Sequence, residues 1–430
     1  MNWLINRLIN RPARLPAGAL MLVIAVSVIV AAILLSLLFL TSNRRLLAQR
    51  DSMQQVLRRN LFSGLAYAQA HDYMPYLRRQ PLDLFGEGTD SVSIEKKPWG
   101  AFDVVLVTAT KRHLADTLVA LVGSQFAPAN QGALYLANEN VPLSVNEDAQ
   151  VRGEAYVPKA EPARPANLPV TGARRSGPAV TGTLRSSHLR LPVNCDSALL
   201  RLRDYAALQL QSWLAAGSRT SAVFRSQHVS FAGPATVLYQ PESVTLRGLS
   251  LTGQIVVVSS RRLVVEASNQ LDNVLLLAPV VVVKAGFRGR VQIIARDTVN
   301  IERECELAYP SMVSAYSTST AGALVLLGEN TRVSGLVVAA QPNAATQPCI
   351  IRMAAGAAIE GQVFSAGTVE NCGLVRGTLM CRRLVYRTPA TFYDNYLVNA
   401  LLDRPGLPAA FLTSPLLNAG APTGIVAWLR

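Results

Sequence analysis

Residues 251–295 read LTGQIVVVSSRRLVVEASNQLDNVLLLAPVVVVKAGFRGRVQIIA, and they carry the strongest fold signal in the chain. Short runs of Val, Ile and Leu follow one another, separated by short polar breaks, and no long helical pattern intervenes. β-Branched residues fit the pleated surface of a sheet, and short apolar runs between breaks are typical of buried strands. The stretch therefore predicts successive strands, and the same texture extends over residues 218–388.

A five-residue word, apolar-x-Gly-x-apolar, recurs in this region and just before it. Glycine permits the backbone angles of a sharp corner, and the flanking apolar residues can point inward and stack on neighbouring rungs. The pattern predicts a mainly β chain with a right-handed parallel β-helix over residues 218–388. The scarcity of hairpin signals disfavours the alternative, a β-sandwich. The word also occurs in residues 151–195, which are otherwise predicted to be a loop or linker. The predicted corner residues are Gly153, Gly182, Gly253, Gly289, Gly335, Gly361 and Gly377.

The pattern in residues 357–385 resembles bactofilins and other polymer-forming β-helix proteins. The likeness covers two or three rungs. It implies a stacked β-helix that takes part in a larger assembly.

The N-terminal part predicts a membrane anchor. Residues 1–17 form a basic leader, and residues 18–40 are apolar apart from two serines. A helix needs about 20 apolar residues to cross a bilayer, and no small-residue cleavage site follows this run, so we expect a retained transmembrane helix.

The orientation of this helix follows from its flanks. The basic leader favours a cytoplasmic N-terminus, whereas Arg44, Arg45 and Arg50 after the span argue the other way. Large domains translocate largely regardless of such charges. We therefore expect a single-pass protein of the cytoplasmic membrane, with its N-terminus inside and its C-terminal domain extracytoplasmic, in the periplasm or at the cell surface.

Residues 41–70 continue the helix beyond the span. No proline occurs there, and Leu and Met residues recur at steps of four and seven. Such a stripe predicts an amphipathic extension. The extension either spaces the exported domain from the membrane or packs in an assembly, and the sequence leaves both interpretations open.

A long N-terminal helix of this kind, half in the membrane and half amphipathic, resembles the type IV pilin superfamily and more closely its minor pseudopilins. The resembling residues are Arg11-Pro-Ala-Arg-Leu-Pro-Ala-Gly18 and the apolar run that begins at Ala19. The resemblance implies that a prepilin peptidase cuts after Gly18, so that the mature chain begins at Ala19. Major pilins carry glutamate at the fifth residue after the cut. This chain has Val23 there, and some atypical minor subunits also lack the glutamate.

Three further segments complete the predicted organisation. Residues 71–150 are predicted to be a small α+β unit in which His113–Gln125 form a short helix. Residues 196–217 predict a helix that Gly217 ends. Residues 389–430 are interrupted by prolines and are predicted to be a C-terminal cap or tail over the open end of the solenoid.

The net charge and the distribution of basic residues indicate which kinds of partner the chain can bind. The formal net charge is +14 over 430 residues, and the arginine doublets that carry much of it are scattered through the chain. Nucleic-acid binders usually concentrate basic residues and interleave them with aromatic side chains, and that interleaving is missing here, which disfavours nucleic acid. A membrane, protein partners in an envelope assembly and an acidic polysaccharide are the expected partners.

Cysteines, histidines and carboxylates predict no catalytic or metal site. The five cysteines form no CxxC; an extracytoplasmic location would permit a disulfide such as Cys372–Cys381, but the odd count leaves one thiol over and the sequence leaves the connectivity open. The densest acidic group is Asp297 with Glu302, Glu304 and Glu306, which a solvated strand face explains. We expect no cofactor and no metal.

These observations predict a non-enzymatic, membrane-anchored envelope protein, a minor pilin- or pseudopilin-like structural or assembly subunit that displays a β-helix. The alternative is an anchored carbohydrate-binding or carbohydrate-active β-helix protein. A third hypothesis is a basic, DNA-binding minor pilin, whose affinity would be sensitive to salt.

Overall fold

A computed structural model describes residues 17–71, 74–83, 86, 90–159, 176–193, 195–212, 214, 217–317, 322–342 and 347–429. Nearly all of the predicted leader 1–17, and residues 160–175 of the predicted linker, lie outside the described residues. The helices are α1 (Ala17–Ala70), α2 (Cys195–Ala198) and α3 (Leu200–Ala206), with 3-10 turns at Pro128–Asn130 and Leu210–Ser212.

The described part of the chain is mainly β, as predicted. One antiparallel sheet holds β1 (Gln80–Leu82), β2 (Asp90–Trp99), β3 (Phe102–Lys111), β4 (Leu114–Ser124) and β29 (Thr423–Leu429). The other strands are β5 (Leu134–Leu136), β6 (Ser144–Val145), β7 (Gln150–Arg152), β8 (Ala155–Val157), β9 (Val180–Thr181), β10 (Leu184–Ser186), β11 (Arg219–Ser221), β12 (Gln227–Val229), β13 (Thr236–Gln240), β14 (Val244–Leu246), β15 (Ser250–Gly253), β16 (Ile255–Ser259), β17 (Arg262–Val265), β18 (Gln270–Val283), β19 (Arg288–Ile301), β20 (Glu306–Tyr316), β21 (Leu324–Leu327), β22 (Arg332–Ala340), β23 (Ile350–Met353), β24 (Ala358–Glu370), β25 (Leu374–Arg387), β26 (Phe392–Asp394), β27 (Tyr396–Leu397) and β28 (Leu401–Asp403).

Helix α1 is continuous through the predicted span and its predicted extension, which confirms both as helix. Its last turns lie on the antiparallel sheet, where Leu57, Leu61 and Leu65 are buried. Gly64 permits the close approach, because a Cβ atom there would lie 2.7 Å from a methyl group of Val107.

The prediction of a short helix at His113–Gln125 is wrong. Residues Leu114–Ser124 form β4, which makes a hairpin with β3 through a turn in which Arg112 has a φ of 53°. The spacing of Leu114, Leu118 and Leu121 fits a helix, but cross-strand pairing and burial on both faces of the sheet override that local preference.

The antiparallel sheet is the middle of three layers. One face of it packs against α1, and the other packs against the outer surface of the parallel strands, so that side chains of β3 alternate between the two cores. The C-terminal strand β29 pairs with β4, and β28 pairs with β25 and β7. Residues 389–430 are therefore built into the sheets, where the sequence predicted a cap or tail.

The second sheet is parallel throughout, apart from the antiparallel pair β25–β26. Its pairs form closed circuits, such as β19–β20–β22–β24–β23–β21–β19, so the strands enclose an apolar interior as a closed parallel barrel. One interior column of register partners runs through Leu238, Val257, Leu276, Ile293, Val313, Val337, Val363, Leu379, Leu134 and Ala155.

The order of this column differs from the order of the chain. β25 is followed by β5 and β8, which come from residues 134–157, so the earliest parallel strands stack beyond the latest ones. The predicted linker at 151–195 contributes β7 to β10 to the sheet. The chain then crosses the outer surface as α2 and α3, which replace the longer helix predicted at 196–217; α3 contacts β18, β19 and β20.

Six of the seven predicted corner glycines have a positive φ; the exception is Gly289. Gly335, Gly361 and Gly377 are register partners in adjacent strands. A Cβ atom on Gly361 would lie 2.0 Å from the carbonyl oxygen of Gly335, so each strand approaches the next too closely for any side chain at this position.

Candidate assembly surface

The first segment of α1 is apolar, and none of the other described residues buries it. From Leu20 to Leu40 its large apolar side chains are exposed, and the helix is long and apolar enough to cross a membrane. Lipid is the solvent in which such a surface is stable, because all backbone polar groups are bonded within the helix. Gly18 and Ala19, the predicted cleavage pair, lie in its first turn.

The second segment, which we name the stalk, comprises residues 41–52. All of its residues are exposed, and no side chain of α1 is buried by the domain until Leu57. At 1.5 Å per residue the stalk is about 18 Å long. It carries two exposed leucines, Leu46 and Leu47, and three arginines, Arg44, Arg45 and Arg50. The stalk therefore holds the folded domain away from the end of the apolar segment.

The third segment fixes the helix to the domain. Leu57, Leu61 and Leu65 are each 3% exposed, and burial of one such side chain contributes about 1.5–3 kcal/mol. Asn60 is fully buried and donates a hydrogen bond to the Asp90 carboxylate at 3.2 Å. These contacts make the domain rigid with respect to α1.

An exposed aromatic pair borders this docked part of the helix. Phe62 on α1 and Trp428 on β29 are 55% and 52% exposed, and their rings meet edge to face with centroids 6.1 Å apart. Large apolar side chains grouped on a surface mark interaction sites more often than scattered ones do. Since Phe62 lies on α1 and Trp428 on β29, the pair forms an exposed aromatic patch where the helix meets the antiparallel sheet.

A single buried glutamine joins the antiparallel sheet to the parallel strands. The side-chain oxygen of Gln292 accepts a hydrogen bond from the Ala101 N–H at 2.8 Å, and its side-chain nitrogen donates to the Trp99 carbonyl at 3.1 Å. Both bonds reach the tight turn between β2 and β3, where Gly100 has a φ of 58°. Gln292 is the one polar residue in the run Val291-Gln-Ile-Ile294, which is the signal that sequence reasoning missed.

A buried charge cluster reinforces the same junction. Arg201 on α3 pairs with Asp103 on β3 at 2.8 Å, and Lys96 approaches the same carboxylate at 3.3 Å. Tyr76 donates to Asp103 at 3.1 Å, and Arg201 lies over its ring. Burial raises the pKa of the neighbouring Tyr205 to about 12, so this phenol stays neutral. Nothing in the sequence indicates that Arg201 joins this cluster, since it lies about a hundred residues after Asp103 in the chain.

The C-terminal segment also contributes hydrogen bonds where the antiparallel sheet packs against the parallel strands. Ser414 donates to the Ala101 carbonyl at 2.6 Å. Thr413 and Asn418 both donate to the side-chain oxygen of Gln362, at 2.7 and 2.9 Å. These hydrogen bonds join residues from distant parts of the chain, which favours one fixed arrangement.

The predicted Cys372–Cys381 disulfide is not formed. Both residues carry free thiols inside the parallel barrel, as do Cys305 and Cys349. Burial raises the pKa of Cys372 to about 12 and that of Cys381 well above its ordinary value. These thiols are therefore protonated and shielded in the folded protein.

The predicted acidic group is dispersed into ion pairs. Glu302 accepts from Lys284 at 2.7 Å, a hydrogen bond that lowers the pKa of the carboxyl, and Asp297 pairs with Arg296 at 3.0 Å. Among the described residues no group of three or more His, Cys, Asp or Glu could hold a metal ion.

Comparison with protein-family models, with curated proteins and with solved structures found no match. The resemblances to pilins and to bactofilins stay predictions, and membership of a family is not shown.

Proposed function

We propose that this chain is a non-enzymatic, membrane-anchored envelope protein, a minor pilin- or pseudopilin-like assembly subunit. Helix α1 holds it in the cytoplasmic membrane, and the parallel barrel is displayed outside. One observation carries the proposal: a single unbroken helix exposes an apolar segment of membrane-spanning length and packs one face of its last turns, from Leu57 onward, on a folded domain. The resemblance of the N-terminal sequence to pilins rests on the same arrangement, a membrane-spanning part followed by an amphipathic part.

We further propose that the parallel barrel is a right-handed β-helix. The support is its register, in which one interior column passes through successive strands and three glycines stack in line. Connections between parallel strands of one sheet are right-handed in about 98% of cases. The basic leader supports an N-in orientation, with the domain in the periplasm or at the surface.

The test is the N-terminus of the mature protein, measured by mass spectrometry of membranes from the native host. We expect a chain that begins at Ala19, because cleavage after Gly18 would leave the apolar segment as its new N-terminal helix. A Gly18→Ile variant should stay uncut, whereas Ser27→Ala, within the span, should be processed normally. An intact Met1 in the wild type would remove the pilin-like part of the proposal and leave a plain signal anchor.

The assembly role has its own test in the stalk. A cysteine placed by Leu47→Cys, in membranes treated with a short bifunctional thiol cross-linker, should join the chain to a neighbouring subunit. Val223→Cys is the matched control, because Val223 is similarly exposed but lies on the parallel barrel. Equal cross-linking at the two positions would contradict a specific role for α1.

One observation favours a second candidate function, binding of an acidic polysaccharide. Tyr386 and Tyr393 face each other across β25 and β26 with ring centroids 6.3 Å apart, and Tyr396 lies 5.3 Å from Tyr393. Tyrosines in a row offer apolar faces with polar rims, which suit sugar rings. Arg382, Arg383 and Arg387 lie on the same strand as Tyr386. Their side chains are each about half exposed and pair with Glu139 or Glu370.

Binding of polygalacturonate to the full-length protein in detergent tests this candidate. Tyr393→Ala should weaken binding about tenfold, while Tyr239→Ala, a tyrosine elsewhere on the barrel surface, should not. No measurable binding by the wild type would reject the candidate. Equal loss in the two variants would place the contact elsewhere.

A further inference from the structure

The three arginines of the stalk surround the helix axis. Successive residues of an α-helix are rotated by about 100°, so Arg44, Arg45 and Arg50 are separated by about 100°, 140° and 120° around α1. All three are exposed, and none makes an ion pair with the described residues. A protein partner docks on one side of a helix, whereas a bilayer surrounds it. The distribution of the arginines therefore fits a lipid surface.

The depth of these arginines fits the same partner. The apolar segment ends at Leu40, so the Cα atoms of Arg44 and Arg45 lie about 6–8 Å beyond it along a helix that has no break. The headgroup region occupies roughly 5–8 Å on each side of the hydrocarbon core. Arg44 and Arg45 therefore lie at the level of the headgroups.

Side-chain direction brings the third arginine into reach. In an α-helix the Cα–Cβ bonds tilt toward the N-terminus, which for α1 is the membrane side. Arg50 lies about 15 Å beyond Leu40, and its long side chain leads back toward the bilayer. The stalk carries one carboxylate, Asp51, against these three cations, so its net charge is positive.

We propose that Arg44, Arg45 and Arg50 form a collar that binds the phosphate groups of anionic glycerophospholipids around α1. Guanidinium groups donate pairs of parallel hydrogen bonds to phosphate oxygens, which a lipid headgroup presents at this depth. The collar fixes how far α1 enters the membrane, and through the rigid stalk it fixes the height of the domain. This inference rests on the proposed membrane anchoring of α1.

The full-length protein, reconstituted in vesicles of equal parts phosphatidylglycerol and phosphatidylcholine, tests the collar. Native mass spectrometry of the protein released from these vesicles counts the lipids that remain bound. We expect phosphatidylglycerol to be retained over phosphatidylcholine about tenfold in the wild type. The triple variant R44Q/R45Q/R50Q should retain both lipids equally, and R261Q/R262Q/R376Q, with the same change in charge on the barrel, should behave as wild type.

Separate outcomes overturn the two proposals. If the protein does not float with the vesicles, the membrane anchor fails and the collar with it. If it floats but shows no lipid preference, or the same preference in R44Q/R45Q/R50Q, only the collar is overturned. Displacement of bound phosphatidylglycerol by inorganic phosphate would reassign the site to a soluble anion. Should the triple glutamine variant fail to insert, the single variants R44Q, R45Q and R50Q take its place, and an unchanged preference for phosphatidylglycerol in all three would overturn the collar.

Discussion

Substitution of Gly361 by alanine should destabilise the protein severely, because this glycine lies where two parallel strands approach too closely for a side chain. Its φ of 136° costs a non-glycine residue about 1–3 kcal/mol. A Cβ atom there would also lie 2.0 Å from the Gly335 carbonyl oxygen and 2.8 Å from the ring of Phe411, and relief of such overpacking typically costs about 1–3 kcal/mol. We expect a combined loss of about 4 kcal/mol.

Urea unfolding of the full-length protein in detergent measures this loss. Tryptophan fluorescence, to which Trp99, buried between the two sheets, contributes, reports the transition. Gly248→Ala is the matched control: Gly248 also has a positive φ, of 62°, but a Cβ atom there would have no atom within 4 Å beyond its own chain neighbours. It should lose only about 1–2 kcal/mol. Equal losses in the two variants would refute the close stacking of Gly335, Gly361 and Gly377.

Three further predictions concern the junction and the barrel interior. Gln292→Ala leaves a buried carbonyl and a buried N–H of the β2–β3 turn without the side chain that bonds them. Hydrogen exchange of that turn should therefore accelerate, and the free energy of unfolding should fall by about 2–4 kcal/mol. Unchanged exchange would contradict the role of this side chain. Asp103→Ala removes the buried carboxylate that pairs with Arg201 and Lys96 and should cost about 3–5 kcal/mol in urea unfolding, whereas Asp297→Ala, which breaks an exposed pair, should cost about 1 kcal/mol or less. Burial raises the pKa of Cys372 to about 12, so its proton is held more tightly in the folded state. The associated stability is complete below about pH 9 and should fall above it by about 1.4 kcal/mol per pH unit for each such thiol; a flat stability between about pH 9 and 11 would count against buried thiols.

Local patterns in the sequence predict the elements that depend on local physics. The apolar run and the leucine steps that follow it specify α1, since helix period and length can be read directly. The apolar-x-Gly-x-apolar word identifies positions such as Gly361, because only glycine tolerates both the backbone angle and the close approach. Gly289 matches the word but has no positive φ, so the word alone does not specify the backbone angle.

The features that the sequence hides depend on partners distant in the chain. Leu114–Ser124 is a strand because β3 and β29 pair with it on its two sides. The spacing of its leucines does not indicate these two partners. The stacking of β5 on β25 joins residues 134–136 to residues 379–381, and no local pattern encodes the pairing. The contact between Arg201 and Asp103 is hidden for the same reason. The assembly surface was thus predictable along α1 and unpredictable where the domain is fastened to it.

The contacts that attach α1 to the domain determine how a pulling force on the helix would be transmitted to the rest of the fold. A pull on α1 passes into the antiparallel sheet, and from there through Gln292 and Arg201 into the side of the barrel. The pull does not act first on a strand at the end of the stack. The first parallel strand in the chain, β5, itself lies inside the stack, between β25 and β8. Peeling an end strand breaks hydrogen bonds one at a time, whereas loading the side of the stack strains many bonds together. β29 adds to this, since it returns the C-terminal end of the chain to the sheet that α1 covers. If α1 anchors the chain in a membrane, as proposed, a pull on the anchor enters the domain at the side of the strand stack and not at an end strand.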